Sequence, residues 1–215
     1  MDEEIRQAAS VIGVRDGAAG PEVLVIERTL HHRFLPGYVA FPGGAVDPAD
    51  RALAVRWFGD AEEAARASAV RELVEEVGLA VTAEAVVSAG PDRSLRPVDA
   101  APPAADALPE IARWIAPRDV PVRFDARYYA VRMDEAADPD PDGAEAARAW
   151  WVSPNDLLAA WESEEVRLYW PTHYTMVALA GRRDAADLLD LRLVTREPDQ
   201  DELGRLPRSV FFQDR

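Results

Sequence analysis

The sequence predicts an α/β or α+β sandwich around one core, and three observations carry that expectation. Two β-branched, apolar runs occupy residues 8–15 and 22–28. A strongly signalled helix lies between Asp60 and Val77, and strands alternate with helices around it. At 215 residues the chain suits one generous core and is short for two independent ones, so a single domain over 1–215 is expected.

The first two runs read as a hairpin, because the Asp16–Pro21 stretch between them holds the Gly, Asp and Pro of a turn. A loop, Leu30–Tyr38, then leads into a short strand at Val39–Phe41 and a turn at Pro42-Gly43-Gly44. In the main helix, Asp60 is a suitable N-cap, Glu62 and Glu63 sit in the first turn, and Gly78 suits the stop. Val81–Ala89 reads as one strand, and Gly90–Pro109, rich in Pro, Asp and Ala, as an irregular excursion. Strands are expected at Val122–Met133 and Ala149–Val152, with the acidic loop Asp134–Gly143 between them. Ser153 and Pro154 open a helix to about Glu164, and a second helix runs from His173 to Ala180, giving a helical extension over about 153–190.

The formal charge is −15, and every basic residue is arginine. So negative a chain repels long polyanions, which excludes long nucleic acid as the expected partner and leaves small anions served by a metal and a few arginines. Without cysteine there is no disulfide, thiolate metal site or thiol nucleophile. The opening Met-Asp-Glu-Glu-Ile lacks signal-peptide order and no apolar run approaches spanning length, so a cytoplasmic protein away from membranes is expected. A homodimer is the expected assembly, on its commonness alone.

The chemistry is concentrated in Arg71-Glu72-Leu73-Val74-Glu75-Glu76-Val77-Gly78-Leu79. Glu72, Glu75 and Glu76 stand at i, i+3 and i+4, so three carboxylates share one face near a helix C-terminus, where both mutual repulsion and the macrodipole oppose them. A hard divalent cation such as Mg²⁺ relieves that repulsion, and Arg71 can orient one carboxylate. The bland reading is a solvated Glu-rich face. Weighing against it is the upstream Phe41-Pro42-Gly43-Gly44, whose glycines let backbone carbonyls approach a ligand.

Together these segments resemble the Nudix superfamily signature: a glycine, five residues, a glutamate, seven residues, then Arg-Glu-aliphatic-x-Glu-Glu-x-Gly-aliphatic. Arg71–Leu79 matches in full, and Glu63 stands seven intervening residues before Arg71. Gly44 and Glu63 are separated by eighteen residues, an insertion of about thirteen at about 48–61, containing the aromatic pair Trp57-Phe58. Asp50 and Glu63 both remain open as the fourth acidic position. Further upstream, Leu24-Val-Ile-Glu-Arg-Thr29, Arg33, Gly37 and Phe41-Pro42-Gly43-Gly44 are similar to the signature of Nudix coenzyme A diphosphatases, with Ile26 and Thr29 replacing more usual residues.

The resemblance implies a Nudix-type α/β/α sandwich with a mixed sheet and the C-terminal helical extension. It implies Mg²⁺ or Mn²⁺ held by the Gly44 carbonyl with Glu72, Glu75 and Glu76, and a catalytic set of Glu72 as general base, Glu75 and Arg71. Arg28, Arg33, Phe41 and Gly43 are the expected substrate contacts, the two arginines as bidentate phosphate donors. Glu145 is a weaker base candidate. His31 and His32 read as surface residues, and His173 as a satisfied, partly buried histidine beside Tyr169, Trp170 and Tyr174, a cluster that could stack a base; Trp150, Trp151 and Trp161 read as core. The expected reaction is metal-dependent cleavage of a diphosphate bond in coenzyme A or acyl-coenzyme A. ADP-ribose, a dinucleotide, or nucleotide sensing without catalysis are the alternatives.

Overall fold

The computed structural model describes residues 5–116, 123–134 and 137–193. Strands β1 (Arg6–Gly17) and β2 (Gly20–Arg28) form the expected hairpin, with Gly17 opposite Gly20. Both are apolar at successive positions because both of their faces are buried: Val11, Leu24 and Ile26 enter one core, and Ile12, Val14, Val23 and Val25 another.

Strand β3 (Tyr38–Ala40) pairs with β2, and β4 (Gly43–Ala45) pairs with β1. Pro42-Gly43-Gly44 is therefore not simply a turn. A Cβ at Gly43 would come within 2.6 Å of Ser10 Cα, so glycine is what lets β4 lie tight against β1.

The inserted segment is helical. Its run of Ala, Leu and Arg favours α1 (Asp50–Phe58), ended by a left-handed Gly59 whose N–H bonds the Val55 carbonyl. Ala54 and Trp57 enter the core and Phe58 packs against it, so the aromatic pair caps the core. Asp60 then caps a single 3₁₀ turn, Ala61–Glu63, by accepting from Glu62 N, and α2 (Ala64–Val77) follows.

Val81–Ala89 is not one strand. Thr82 Oγ1 donates to the Ala85 carbonyl at 2.7 Å and closes a turn between β5 (Leu79–Val81) and β6 (Val86–Ser88), a separate two-stranded sheet. The excursion after it contains α3 (Arg96–Ala100). Strand β7 (Glu110–Ile115) was not expected: its register shifts beside Glu110, and its charged positions Glu110 and Arg113 blur the apolar pattern. Then come β8 (Phe124–Arg132), β9 (Ala146–Val152), α4 (Pro154–Glu162), β10 (Arg167–Leu168), α5 (Trp170–Leu179) and α6 (Ala185–Leu189). Val122, the expected start of β8, lies outside the described residues. Ser153 caps α4 as expected, accepting from Asp156 N. Helix α5 begins at Trp170 rather than His173, with Pro171 in its first turn.

The main sheet runs β10-β3-β2-β1-β8-β7, with β9 on β2 and β4 on β1. It is mixed: β1–β8 and β10–β3 are parallel and the other pairs antiparallel. Helices α1 and α2 bury one face, and α4, α5 and α6 the other. This is the α/β/α sandwich, its third layer supplied by the C-terminal helices. Where β1 changes partner, from β4 at Ala8–Ser10 to β2 at Val14–Gly17, the sheet splits. No helix among the described residues is long and apolar enough to cross a membrane.

Candidate active site

The split is where α2 meets β4. Helix α2 turns Glu72, Glu76 and Arg71 toward it, while Leu73, Val74 and Val77 fill the core. A Cβ at Gly44 would lie 2.7 Å from the Glu72 carboxyl carbon, so that approach requires glycine. Glu76 is 2 % exposed; its Oε2 accepts from Gly43 N at 2.7 Å, and its buried Oε1 has no hydrogen-bond partner. Gly44 pairs with Ala9 in the β1–β4 ladder.

Arg71 organises the remaining acids. Its Nε and Nη2 donate to Asp50 at 2.8 and 3.0 Å, and its Nη1 lies 2.9 Å from Glu72 and 2.6 Å from Glu75. Asp50 is completely buried, and its Oδ2 also accepts from Asp47 N. Of the two acids left open as the fourth position, Asp50 joins the site through Arg71, whereas Glu63 pairs with Arg66 near the opposite end of α2. Glu72 and Glu75 both face the Arg71 guanidinium, so among the described residues no three acidic or imidazole side chains converge on one point.

Burial dominates the electrostatics. It pushes Glu72 up to about 7, against the pull of Arg71, with repulsion from Glu75 and Glu145 adding to the rise. It pushes Glu76 up to about 8, partly offset by Arg28 and by the Gly43 N–H. Both reluctant carboxylates belong to a group of five acids (Asp50, Glu72, Glu75, Glu76 and Glu145) facing two arginines, Arg28 and Arg71. A hard cation fits this donor set. The unpartnered Glu76 oxygen lacks a donor, and oxygen ligands with excess negative charge are what Mg²⁺ or Mn²⁺ takes.

Arg28 reaches the same place from β2, its Nη2 donating to the Gly43 carbonyl at 3.2 Å. His32, read from sequence as a surface residue, is beside it: Arg28 Nη1 lies 2.9 Å from His32 Nε2, and His32 Nδ1 lies 2.7 Å from the Phe34 carbonyl. Arg33 is exposed and off the cavity wall, because the loop turns His32 inward in its stead. Glu145 lines the opening, 3.5 Å from His32.

The opening leads into a cavity of about 370 Å³. Phe41 and Gly43 line it; Trp114 does so from β7, which was not legible, and Phe124 and Tyr128 from β8, a strand that was expected but whose place beside the site was not. Of the C-terminal aromatics, Tyr169 and Trp170 line the cavity while Tyr174 does not. His173 departs from expectation: its Nδ1 is buried without a hydrogen-bond partner, burial depresses its pKa, and its ring packs 4.2 Å from Trp161. Trp150, Trp151 and Trp161 are all partly buried and pack against the cores, Trp150 under Arg148 and Trp151 under Arg15.

A mixed-sheet sandwich with a glycine pair docked on an Arg-Glu-Leu-Val-Glu-Glu helix face defines a recognisable class. The model of the NUDIX domain matches residues 4–170, and the chain belongs to the Nudix family. A crystal structure of a NUDIX hydrolase from Alicyclobacillus acidocaldarius is similar, with a TM-score of 0.74 and 30% identity, covering 90% of this chain and 100% of that one. Among curated proteins, the uncharacterized Nudix hydrolase NudL of Escherichia fergusonii is 30% identical over 79% of this chain and 74% of its own length. Human acyl-coenzyme A diphosphatase NUDT19 is 25% identical over 80% of this chain and 64% of its own. The chain spans between 57% and 74% of the length of the curated relatives it matches.

Proposed function

We infer that the protein is a divalent-metal-dependent hydrolase of the diphosphate bond in a small nucleotide derivative, with coenzyme A or an acyl-coenzyme A as substrate. The observation that carries this reading is the buried Glu72–Glu76 pair, with one unpartnered oxygen, set against Gly43-Gly44 at the mouth of a cavity that Arg28 also lines. The coenzyme A part rests on the Arg28–Gly44 segment and on the likeness to the human acyl-coenzyme A diphosphatase.

Glu72, Glu75, Glu76 and the Gly44 carbonyl would hold Mg²⁺ or Mn²⁺, which supplies a Lewis acid for the diphosphate and a more acidic water. Glu75, half exposed and paired with Arg71, would be the most accessible of these ligands. Glu72, buried beside Gly44, takes the proton from the attacking water. Arg71, anchored on Asp50, keeps Glu72 oriented. Arg28 donates to a phosphate oxygen from a guanidinium already fixed on Gly43 and His32.

The test is hydrolysis of coenzyme A, acyl-coenzyme A, ADP-ribose, NADH and diadenosine polyphosphates with and without Mg²⁺ or Mn²⁺, products resolved chromatographically. Metal-dependent release of the phosphopantetheine moiety and 3′,5′-ADP is expected. Turnover of another panel member alone discards the coenzyme A reading. Glu75→Gln is expected to lower kcat at least ~100-fold, since a metal-polarised oxygen is worth several kcal/mol. If ligand binding survives in a wild-type chain that turns over nothing, the protein is a sensor.

A further inference from the structure

The floor of the cavity is a rank of small side chains crossing three strands. Ala45 on β4 is opposite Ala8 on β1, Ala8 opposite Ala126 on β8, and Ala126 opposite Trp114 on β7. Register partners project to the same face of a sheet, and all four line the cavity. Trp114 ends the rank as a wall, edge-on to Trp170 with ring centroids 5.6 Å apart. Phe34 packs against both Phe124 and Tyr169 at 5.4 and 5.9 Å, so aromatic rings surround the floor.

Among the described residues, charge on the cavity wall is confined to the β4 end. Arg28 reaches the Gly43 carbonyl, Arg71 the Ala45 carbonyl, and Glu72 abuts Gly44; Glu75 follows Arg71, and Glu145 follows His32 and Arg28. Among the described residues no Asp, Glu or Arg side chain lines the Trp114 end. A charged group placed there would lose its hydration without gaining a counter-charge.

We propose that this aromatic chamber is a binding subsite for an uncharged substituent of the diphosphate with an apolar end, with Ala8 and Ala126 setting its size. The proposal rests on the hydrolase reading for the orientation of substrate. In an acyl-coenzyme A the group that enters is the acylated pantetheine arm, because the adenosine side carries a further phosphate and must stay at the charged mouth. Alanines on two adjacent strands make room for that arm, and a leucine at either position fills it.

The test uses uncharged probes and no metal: S-hexanoylpantetheine, pantetheine and adenosine, titrated calorimetrically into the full chain with EDTA. S-Hexanoylpantetheine is expected to bind more tightly than pantetheine, and Ala126→Leu to weaken it by roughly 10-fold or more, the scale on which a filled apolar pocket discriminates. Ala8→Leu, approaching from the neighbouring strand, is expected to do the same and serves if Ala126→Leu does not fold by circular dichroism. Adenosine binding that both leucines abolish would give the chamber to the nucleobase and overturn its assignment to the pantetheine arm. No binding by any probe, or binding that neither leucine changes, overturns the subsite. Because no turnover is read, failure of the hydrolysis panel would remove the catalytic reading and leave this result standing.

Discussion

Asp50→Ala is expected to lower the free energy of unfolding by about 3–5 kcal/mol, the range for removing one partner of a buried ion pair. The measurement is a shift of the urea midpoint at unchanged m-value. Asp50 is completely buried and takes two hydrogen bonds from Arg71 and one from Asp47 N. Its removal takes the closest acceptors of Nε and Nη2 from a largely enclosed guanidinium, leaving Glu72, Glu75 and long contacts to Ser68 and the Ala45 carbonyl, and strands a backbone donor. Turnover should fall as well, because Arg71, released from its anchor, draws Glu72 and Glu75 to itself. Glu63→Ala is the comparison: that carboxylate is about a third exposed and paired with Arg66, so solvent screening limits its loss to about 1 kcal/mol or less. Equal midpoints for the two variants would show that Asp50 does not anchor the site.

The contrast marks what local pattern can carry. Arg71, Glu72, Glu75 and Glu76 were legible because helical spacing is a local property, and the β1–β2 hairpin because its turn residues sit between two β-branched runs. Asp50 was legible only as an alternative to Glu63: its bond to Arg71 spans 21 positions and depends on the inserted segment folding as a helix. Motif spacing revealed the length of that insertion and not its conformation. The glycine pair was recognised, but its pairing with β1 depends on Ser10, more than thirty residues away.

The cavity was less legible still. Its walls come from Phe34, Trp114, Phe124 and Trp170, on four separate stretches of chain. Trp114 could be placed only through a strand whose alternation is blurred by charged positions and a register shift. Arg33 and His32 show a complementary limit. Motif register points to the arginine, while the backbone of the loop turns the neighbouring imidazole onto Arg28. A period-two strand or a 3.6-residue helix assigns direction to each side chain; an irregular loop does not.

In EDTA, the stability of the chain is expected to fall as pH rises from about 5 to about 8, and Mg²⁺ to oppose that fall. In the folded chain burial holds Glu72 at about 7 and Glu76 at about 8, against the ordinary 4.5. Between the unfolded and folded values these two carboxyl groups bind more protons in the folded chain than in the unfolded one, so their contribution to the derivative of unfolding free energy with pH is negative; the depressed His173 contributes with the opposite sign, one group against two. The contribution is fully present below about 4.5 and gone above about 8. A tenfold difference in proton affinity between the folded and unfolded chain corresponds to ~1.4 kcal/mol. The two groups repel each other and share one site, so a net loss of a few kcal/mol is expected, a fall in Tm on the order of 10 °C for a chain of this size. On the proposed metal site Mg²⁺ would compete with the protons for the same oxygens, so it should raise Tm strongly at about pH 8 and little at about pH 5. Differential scanning calorimetry at the two pH values, with EDTA or Mg²⁺, reads all four conditions. Replacing Glu72 and Glu76 by glutamine should flatten the pH slope and remove the Mg²⁺ effect together. A slope that survives the double replacement would place the titrating groups elsewhere, and a Mg²⁺ effect that survives it would place the metal on other ligands.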